Sequence, residues 1–90
     1  MIKNYDFLLE PFAQAQLREW IAEDRRTALK IMDLFTAIQR EPFTGIGKPE
    51  PLKYDRKGYW SRRITQEHRL VYQVTDETII VVSCKGHYED

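Results

Sequence analysis

The spacing of the apolar residues changes at Pro42, and this change limits the fold more than any other feature of the chain. Before Pro42, apolar residues recur every three or four positions, which is typical of one face of a helix. After it, apolar and polar residues alternate, as in strands that have two different faces. Because 90 residues are enough for one domain, both patterns must contribute to one core. The sequence therefore predicts a single α+β domain over residues 1–90.

The first half of the chain predicts one strand followed by two helices. Residues 6–9 are mostly apolar and end before Pro11, which can occupy the first turn of a helix without losing a hydrogen bond. Asp24 is a suitable N-cap for the second helix, which must end before Pro42. The residues expected to face the core are Ala13, Leu17, Trp20 and Ile21 in the first helix and Ala28, Ile31, Met32, Phe35 and Ile38 in the second. The two helices are expected to form a hairpin that covers a sheet.

The second half predicts four strands joined by short turns. We expect a short strand at 52–54 and an alternating strand over 60–65. A second alternating strand covers 70–74, and the β-branched run over 79–84 is typical of a central strand. The expected architecture is a mostly antiparallel sheet of four to five strands, covered on one face by the N-terminal helical hairpin. The predicted core also includes Trp60 and Tyr72, and Cys84 is interpreted as a buried strand residue.

The charge is balanced overall but is unevenly placed along the chain. There are 14 Lys or Arg residues and 14 Asp or Glu residues, which argues against a generic nucleic-acid-binding protein. Residues 47–88 contain eight basic and five acidic residues. This mildly basic half suits a pocket that binds a few phosphates better than a surface that coats a long duplex.

Cysteine content and hydropathy predict a soluble, cytoplasmic protein with no membrane partner. Cys84 is the only cysteine, so it cannot form an internal disulfide, which fits a reducing compartment. No apolar run approaches the length needed to cross a membrane. The N-terminus also lacks the residue order of a signal peptide.

A carboxylate, a guanidinium and an imidazole in the second half are the candidates for catalysis: Glu50, Arg69 and His87. RNA supplies its own nucleophile, the 2′-OH, so cleavage without a metal needs a base, a cation at the phosphate and an acid. From spacing alone, a residue such as Glu50 is more often an exposed loop carboxylate, and one such as His87 is more often an exposed histidine. Arg69 has the alternative of an ion pair with Glu67 or Asp76. Neither zinc-ligand spacing nor a nucleophilic cysteine is present, so no metal and no cofactor are expected.

Several separated motifs carry a family resemblance. GKPEPLK, WSRRIT, EHRLVY and a HY pair follow one another within residues 42–88. In this order and spacing they resemble the YoeB (Txe/YoeB) branch of the RelE-type bacterial toxins. The resemblance implies a RelE-like fold and an mRNA endonuclease that enters the ribosomal A site and inhibits translation. It further implies that Glu50 is the general base, Arg69 the phosphate-stabilising cation and His87 the general acid.

Four further residues are candidates for substrate binding: Lys53, Arg62, Arg63 and Tyr88. Lys53 lies close in sequence to the proposed base, and Tyr88 can stack on a base or orient the phosphate. Arg62 and Arg63 point to opposite faces of one strand, so one is expected to face substrate and the other to pair with helix carboxylates. His68 is interpreted as part of the turn before the next strand.

The resemblance also implies the partners of the protein. These are a YefM-like antitoxin that holds the toxin inactive, the ribosome with its mRNA, and a second copy of the chain in a homodimer. Two other function classes remain open at this point. One is a toxin of the same fold that blocks the ribosome by occupancy without cleaving RNA. The other is a ParE-type toxin that acts on DNA gyrase, against which the retained Glu50, Arg69 and His87 argue.

Overall fold

The computed structural model describes residues 4–53 and 56–86. The elements follow in the order β1 (Asp6–Leu9), α1 (Pro11–Glu23), α2 (Arg25–Arg40), β2 (Glu50–Pro51), β3 (Tyr59–Arg63), β4 (Arg69–Val74) and β5 (Thr78–Ser83). The strands form one sheet in the order β1-β5-β4-β3-β2. β1 runs parallel to β5, whereas every other neighbouring pair is antiparallel. The predicted α+β fold, with its mostly antiparallel sheet and helical hairpin, is confirmed.

The helical hairpin connects the two edge strands of the sheet, β1 and β2. These strands run in opposite directions, so two helices return the chain to the end of the sheet at which β1 finished. The three strands β2 to β4 then place β5 parallel to β1. The buried side chains of the hairpin join those of the central strands in one core cluster, which includes Ile31, Leu34, Leu70, Tyr72 and Ile79.

The helix boundaries agree with the sequence prediction. Pro11 is the first residue of α1. The Asp24 carboxylate caps α2, where it accepts hydrogen bonds from the Thr27 hydroxyl at 2.7 Å and the Thr27 N–H at 3.2 Å. These bonds stabilise the ionised form and hold the pKa of Asp24 below its usual value. α2 ends at Arg40, two residues before Pro42.

Two residues of the predicted helical stripes do not reach the core. Ile21 is 45% exposed and Met32 is 39% exposed, whereas Leu34, which was not among the predicted core residues, is 1% exposed. Successive residues turn by about 100° around a helix. The buried face of α2 passes through Ile31, Leu34 and Ile38, so Met32 lies to one side of it. Placing Ile21 and Met32 in the core was therefore wrong.

The expected core aromatics divide into two groups. Trp20 and Tyr72 are buried, whereas Phe35 and Trp60 are partly buried at the margin of the core. Cys84 is buried directly after β5, and burial raises the pKa of its thiol to about 11. No helix in the described ranges is long and apolar enough to cross a membrane.

The first strand after the loop lies earlier than predicted. β2 contains Glu50 and Pro51, and it pairs with Ser61 and Trp60 of β3. Leu52 extends the pairing by a hydrogen bond from its N–H to the Tyr59 carbonyl at 2.9 Å. The strand predicted at 52–54 therefore begins two residues earlier, at Glu50. A short edge strand tolerates proline, so the two prolines that flank Glu50 do not prevent it from forming there. Position 54 lies outside the described residues.

Candidate active site

The strand register gathers three of the candidate residues on the face of the sheet that the helices do not cover. Glu50 pairs with Ser61, and Arg63 pairs with Arg69. Residues paired directly across strands point to the same face, as do residues two apart along one strand. Glu50, Arg63 and Arg69 therefore share a face, although they come from three different strands.

Glu50 lies at the edge of this face. It is exposed and belongs to the terminal strand β2. Two strand spacings and an offset of two residues separate it from Arg69, which gives a Cα–Cα distance of roughly 12 Å. Long side chains from both positions can reach toward a group the size of a phosphodiester between them. Glu50 is thus an exposed carboxylate whose direct partner is Ser61, and Arg63 is its diagonal neighbour on the same face.

Arg63 and Arg69 are directly opposite each other in the β3–β4 ladder. Like charges in this arrangement destabilise a sheet unless an anion or a counter-charge lies between them. Arg63 is exposed and Arg69 is half-buried. The pair therefore forms a local positive site that suits a phosphate.

The Arg69 side chain is partly fixed by the turn that precedes its strand. Its Nη1 donates to the Thr65 carbonyl at 3.2 Å. Within the described part of the chain, it makes no ion pair with Glu67 or Asp76. The remaining guanidinium donors are thus not used by an acid of the turn, which favours an anion-binding role for Arg69 over the ion-pair alternative.

Arg62 does not face the site, and its assignment as a substrate-binding residue is corrected. Its side chain is fully buried. Nη2 donates to the carbonyls of Glu41 at 2.7 Å and Thr44 at 2.9 Å, and Nη1 donates to the Ile46 carbonyl at 3.0 Å. The expected partner, a helix carboxylate, is also wrong: main-chain carbonyls of the loop after α2 take that place.

Tyr72 completes the environment of Arg62. Its hydroxyl accepts a hydrogen bond from Arg62 Nε at 3.1 Å and donates one to the Pro42 carbonyl at 2.7 Å. Burial raises the pKa of Tyr72, while the hydrogen bond and charge of Arg62 act in the opposite direction. The hydroxyl therefore stays protonated and can make both bonds. Arg62 and Tyr72 together fix the loop that leads to Glu50.

Glycine is required where this loop packs against Arg62. Gly47 has a φ of 84°, and an added Cβ would lie 3.1 Å from the Leu34 side chain and 3.2 Å from the Arg63 carbonyl. Its own carbonyl accepts a hydrogen bond from the Arg63 N–H at 2.6 Å. The loop can approach β3 this closely because the residue has no side chain.

The other candidate residues are less constrained by the structure. Lys53 is exposed, three residues after Glu50. His87 and Tyr88 lie outside the described residues, so their roles stay predictions. The chain is described up to Gly86, whose carbonyl accepts a hydrogen bond from the Arg69 N–H at 2.9 Å. The residue before His87 is therefore bonded to the main chain of Arg69.

A metal site would need several His, Cys, Asp or Glu side chains close together. Residues 4–53 and 56–86 contain no group of three or more such side chains that could hold an ion. The side chains that the strands gather are one carboxylate, Glu50, and two guanidinium groups, Arg63 and Arg69.

Comparisons with known proteins agree with this fold and with the motifs. Residues 10–88 match the family model of the YoeB-like toxin of bacterial type II toxin-antitoxin systems. This chain belongs to that family. The toxin YoeB of Escherichia coli K12 is 52% identical over 69 residues, which cover 77% of this chain and 82% of that toxin.

Solved structures of YoeB proteins have the same fold as this YoeB-like chain. The YoeB dimer from Staphylococcus aureus matches with a TM-score of 0.85 and 42% identity, covering 94% of this chain and 99% of that one. The YoeB–YefM complex from the same organism matches with a TM-score of 0.81 and 41% identity, over 94% and 99% of the two chains. The protein is thus a YoeB-like toxin of a type II toxin–antitoxin system, as its motifs predicted.

One residue of this YoeB-like site was not recognised in the sequence. His68 forms the expected turn, since its carbonyl accepts from the N–H groups of Ile64 and Thr65. Its imidazole, however, accepts a hydrogen bond from the Gly86 N–H through Nδ1 at 2.9 Å. These two residues are 18 positions apart, so neither local periodicity nor turn chemistry could indicate this contact.

Proposed function

We propose that this toxin is a ribosome-dependent mRNA endoribonuclease that cleaves without a metal. The observation that carries the proposal is the strand register, which gathers Glu50, Arg63 and Arg69 on the exposed face of the sheet. A carboxylate beside two cations matches the needs of 2′-OH attack on the adjacent phosphate. The bond from the Arg69 N–H to the Gly86 carbonyl also brings the chain segment before His87 to the same strand.

Each residue has a specific task in the proposed reaction. Glu50 removes the 2′-OH proton, and Arg69 stabilises the charge that develops on the pentacovalent phosphorane. His87 protonates the departing 5′ oxygen. The 2′ oxygen thereby forms a bond to phosphorus while the bond to the 5′ oxygen breaks. Arg63 and Lys53 bind the neighbouring phosphates, and Tyr88 stacks on a base.

The ribosome is the proposed site of action because the toxin surface alone holds RNA poorly. The cationic site is small and the chain has no net charge, so free RNA should bind weakly. A ribosome that holds the message in a reactive conformation would supply the orientation that the toxin lacks. Cytoplasmic action on translated mRNA follows from this proposal.

Mapping the 5′ ends of mRNA after brief expression tests the function. We expect new ends inside open reading frames, carrying 5′-OH groups opposite 2′,3′-cyclic phosphates or 3′-phosphates. The same RNA without ribosomes should stay largely intact, and cleavage should persist when chelators are added to ribosomes stabilised by polyamines. Arrest of translation without new ends would indicate ribosome occupancy, and DNA damage without either would indicate a gyrase poison. Ends that carry 5′-phosphates would contradict the 2′-OH mechanism.

We also propose that a YefM-like antitoxin binds and neutralises this toxin; the similar YoeB of Staphylococcus aureus forms a complex with YefM. The cationic site formed by Arg63 and Arg69 suits an acidic segment that folds on binding. Expression of the toxin alone should arrest growth, and coexpression of the small open reading frame next to its gene should relieve the arrest. Normal growth with confirmed soluble toxin would contradict the proposal. A homodimer is proposed as a second assembly, because the similar YoeB of Staphylococcus aureus forms a dimer.

A further inference from the structure

The main chain of Gly86, the residue before the proposed acid, forms hydrogen bonds with two consecutive residues, His68 and Arg69. Its N–H donates to His68 Nδ1 at 2.9 Å. Its carbonyl accepts from the Arg69 N–H, also at 2.9 Å. Arg69, the proposed phosphate-binding residue, and His68 therefore both bind the main chain of Gly86, which directly precedes His87 in the sequence.

These two hydrogen bonds fix Gly86, because packing does not. Gly86 is exposed, and an added Cβ would meet no atom within 4 Å. Its φ of 102° is a conformation that residues with a side chain rarely adopt. Glycine has the greatest conformational freedom of any residue, so the main-chain conformation of Gly86 depends on the hydrogen bonds that its N–H and carbonyl make.

The segment before Gly86 is anchored differently, to α1. The Trp20 indole donates to the Cys84 carbonyl at 2.9 Å, and the Gln16 side chain accepts from the Cys84 N–H at 2.7 Å. Lys85 forms ion pairs with Glu19 at 2.9 Å and Glu23 at 3.5 Å. These contacts end at Lys85, so the next residue depends on His68 and Arg69.

The His68 ring is itself held in place. It packs edge-on against the Trp20 indole, with ring centroids 4.8 Å apart and an interplanar angle of 89°. A ring nitrogen accepts a hydrogen bond when it carries no proton, so the bond to Gly86 requires the neutral ring with its hydrogen on Nε2. The imidazole thus acts as a fixed acceptor for one backbone N–H.

We infer that His68 is a positioning residue for the cleavage reaction. Its Nδ1 holds the main chain of Gly86, the residue that precedes the proposed acid in the sequence. This inference rests on the proposed function, because it concerns the acid of that reaction. His68 itself touches no substrate atom in this role.

Two substitutions of nearly equal shape separate the hydrogen bond from packing. His68→Asn keeps an acceptor, because its Oδ1 can occupy the place of Nδ1, whereas His68→Leu keeps similar bulk without an acceptor. Exchange of the Gly86 amide, followed by ¹⁵N NMR, should be slow in the parent and in His68→Asn and faster in His68→Leu. Imidazole ¹⁵N shifts of the parent should show the hydrogen on Nε2.

Single-turnover cleavage on programmed ribosomes gives the functional measurement. His68→Leu should cleave about tenfold to a hundredfold more slowly at saturating ribosomes, while the ribosome concentration for half-saturation stays unchanged. His68→Asn should restore most of the rate. An unprotected Gly86 amide in the parent, or a parent-like rate in His68→Leu with the amide exposed, would overturn the positioning role. If the parent protein cleaves no translated mRNA, the proposed function and this role both fail. A protected Gly86 amide in the same protein would then show that the hydrogen bond to His68 is nevertheless present.

Discussion

Replacement of His87 by Gln is expected to lower single-turnover cleavage by about two to four orders of magnitude, the usual effect of losing a general acid or base. Arg69→Ala should lower it by about two to three orders, because it removes the charge that stabilises the phosphorane. Ribosome binding should change little for His87→Gln, since the acid acts mainly in the transition state. The rates are measured on programmed ribosomes with toxin in excess. Glu50→Ala is expected to cost less, because water or a ribosomal RNA group can accept the proton.

Arg26→Ala is a suitable control for these variants. Arg26 is exposed on α2, which packs on the other face of the sheet. Its replacement removes the same charge from the protein, so a general loss of electrostatic attraction to RNA would appear in this variant as well. A parent-like cleavage rate in His87→Gln would show that the acid is a different group. Equal losses in Arg69→Ala and Arg26→Ala would show that Arg69 contributes only general charge.

Replacement of Arg62 by Met is expected to destabilise the fold by about 3–5 kcal/mol. The change leaves the carbonyls of Glu41, Thr44 and Ile46 and the Tyr72 hydroxyl without their donor, and each unsatisfied buried group costs about 1–3 kcal/mol. Water can reach some of these groups in the loop, so the sum is not fully realised. In a domain of this size, the midpoint of thermal unfolding should fall by more than about 12 °C.

The neighbouring residue provides a matched control for this prediction. Arg63→Met makes the same substitution at an exposed position of the same strand, so stability should change by less than about 0.5 kcal/mol. Cleavage should nevertheless decrease, because Arg63 belongs to the proposed phosphate site. Chemical denaturation of both variants measures the difference. Similar stability losses in the two variants would contradict the structural role of Arg62, and unchanged cleavage in Arg63→Met would remove that residue from the site.

The contrast between these two arginines shows how far the sequence could predict the site. Alternation along the strand indicated that Arg62 and Arg63 point to opposite faces, and this is confirmed. The main-chain partners of Arg62 could not be predicted, because the loop carbonyls carry no side-chain signal. Trp60 and Ile64 lie two residues before and after Arg62, on the same face of the strand, and both are apolar residues that pack in or against the core. They were the available indication that Arg62 faces the core.

Local pattern alone determined the helical hairpin and the alternating strands that follow it. Pro11, Asp24 and Pro42 act on the backbone within a few residues of themselves, so their effects can be predicted without knowledge of the rest of the fold. The motifs between residues 42 and 88 likewise indicate the family by their order and spacing along the chain, and the family match over residues 10–88 confirms it.

Tertiary structure decided which distant residues meet. The pairing of Glu50 with Ser61 depends on the register between β2 and β3, and a shift of one residue would turn the carboxylate to the other face. The bond between His68 and Gly86 likewise forms because the sheet brings together two residues from separate strand ends. Periodicity reports which face a residue occupies within its own element. It does not report the neighbour that it meets across the sheet, because that depends on the free energy of the whole packed core.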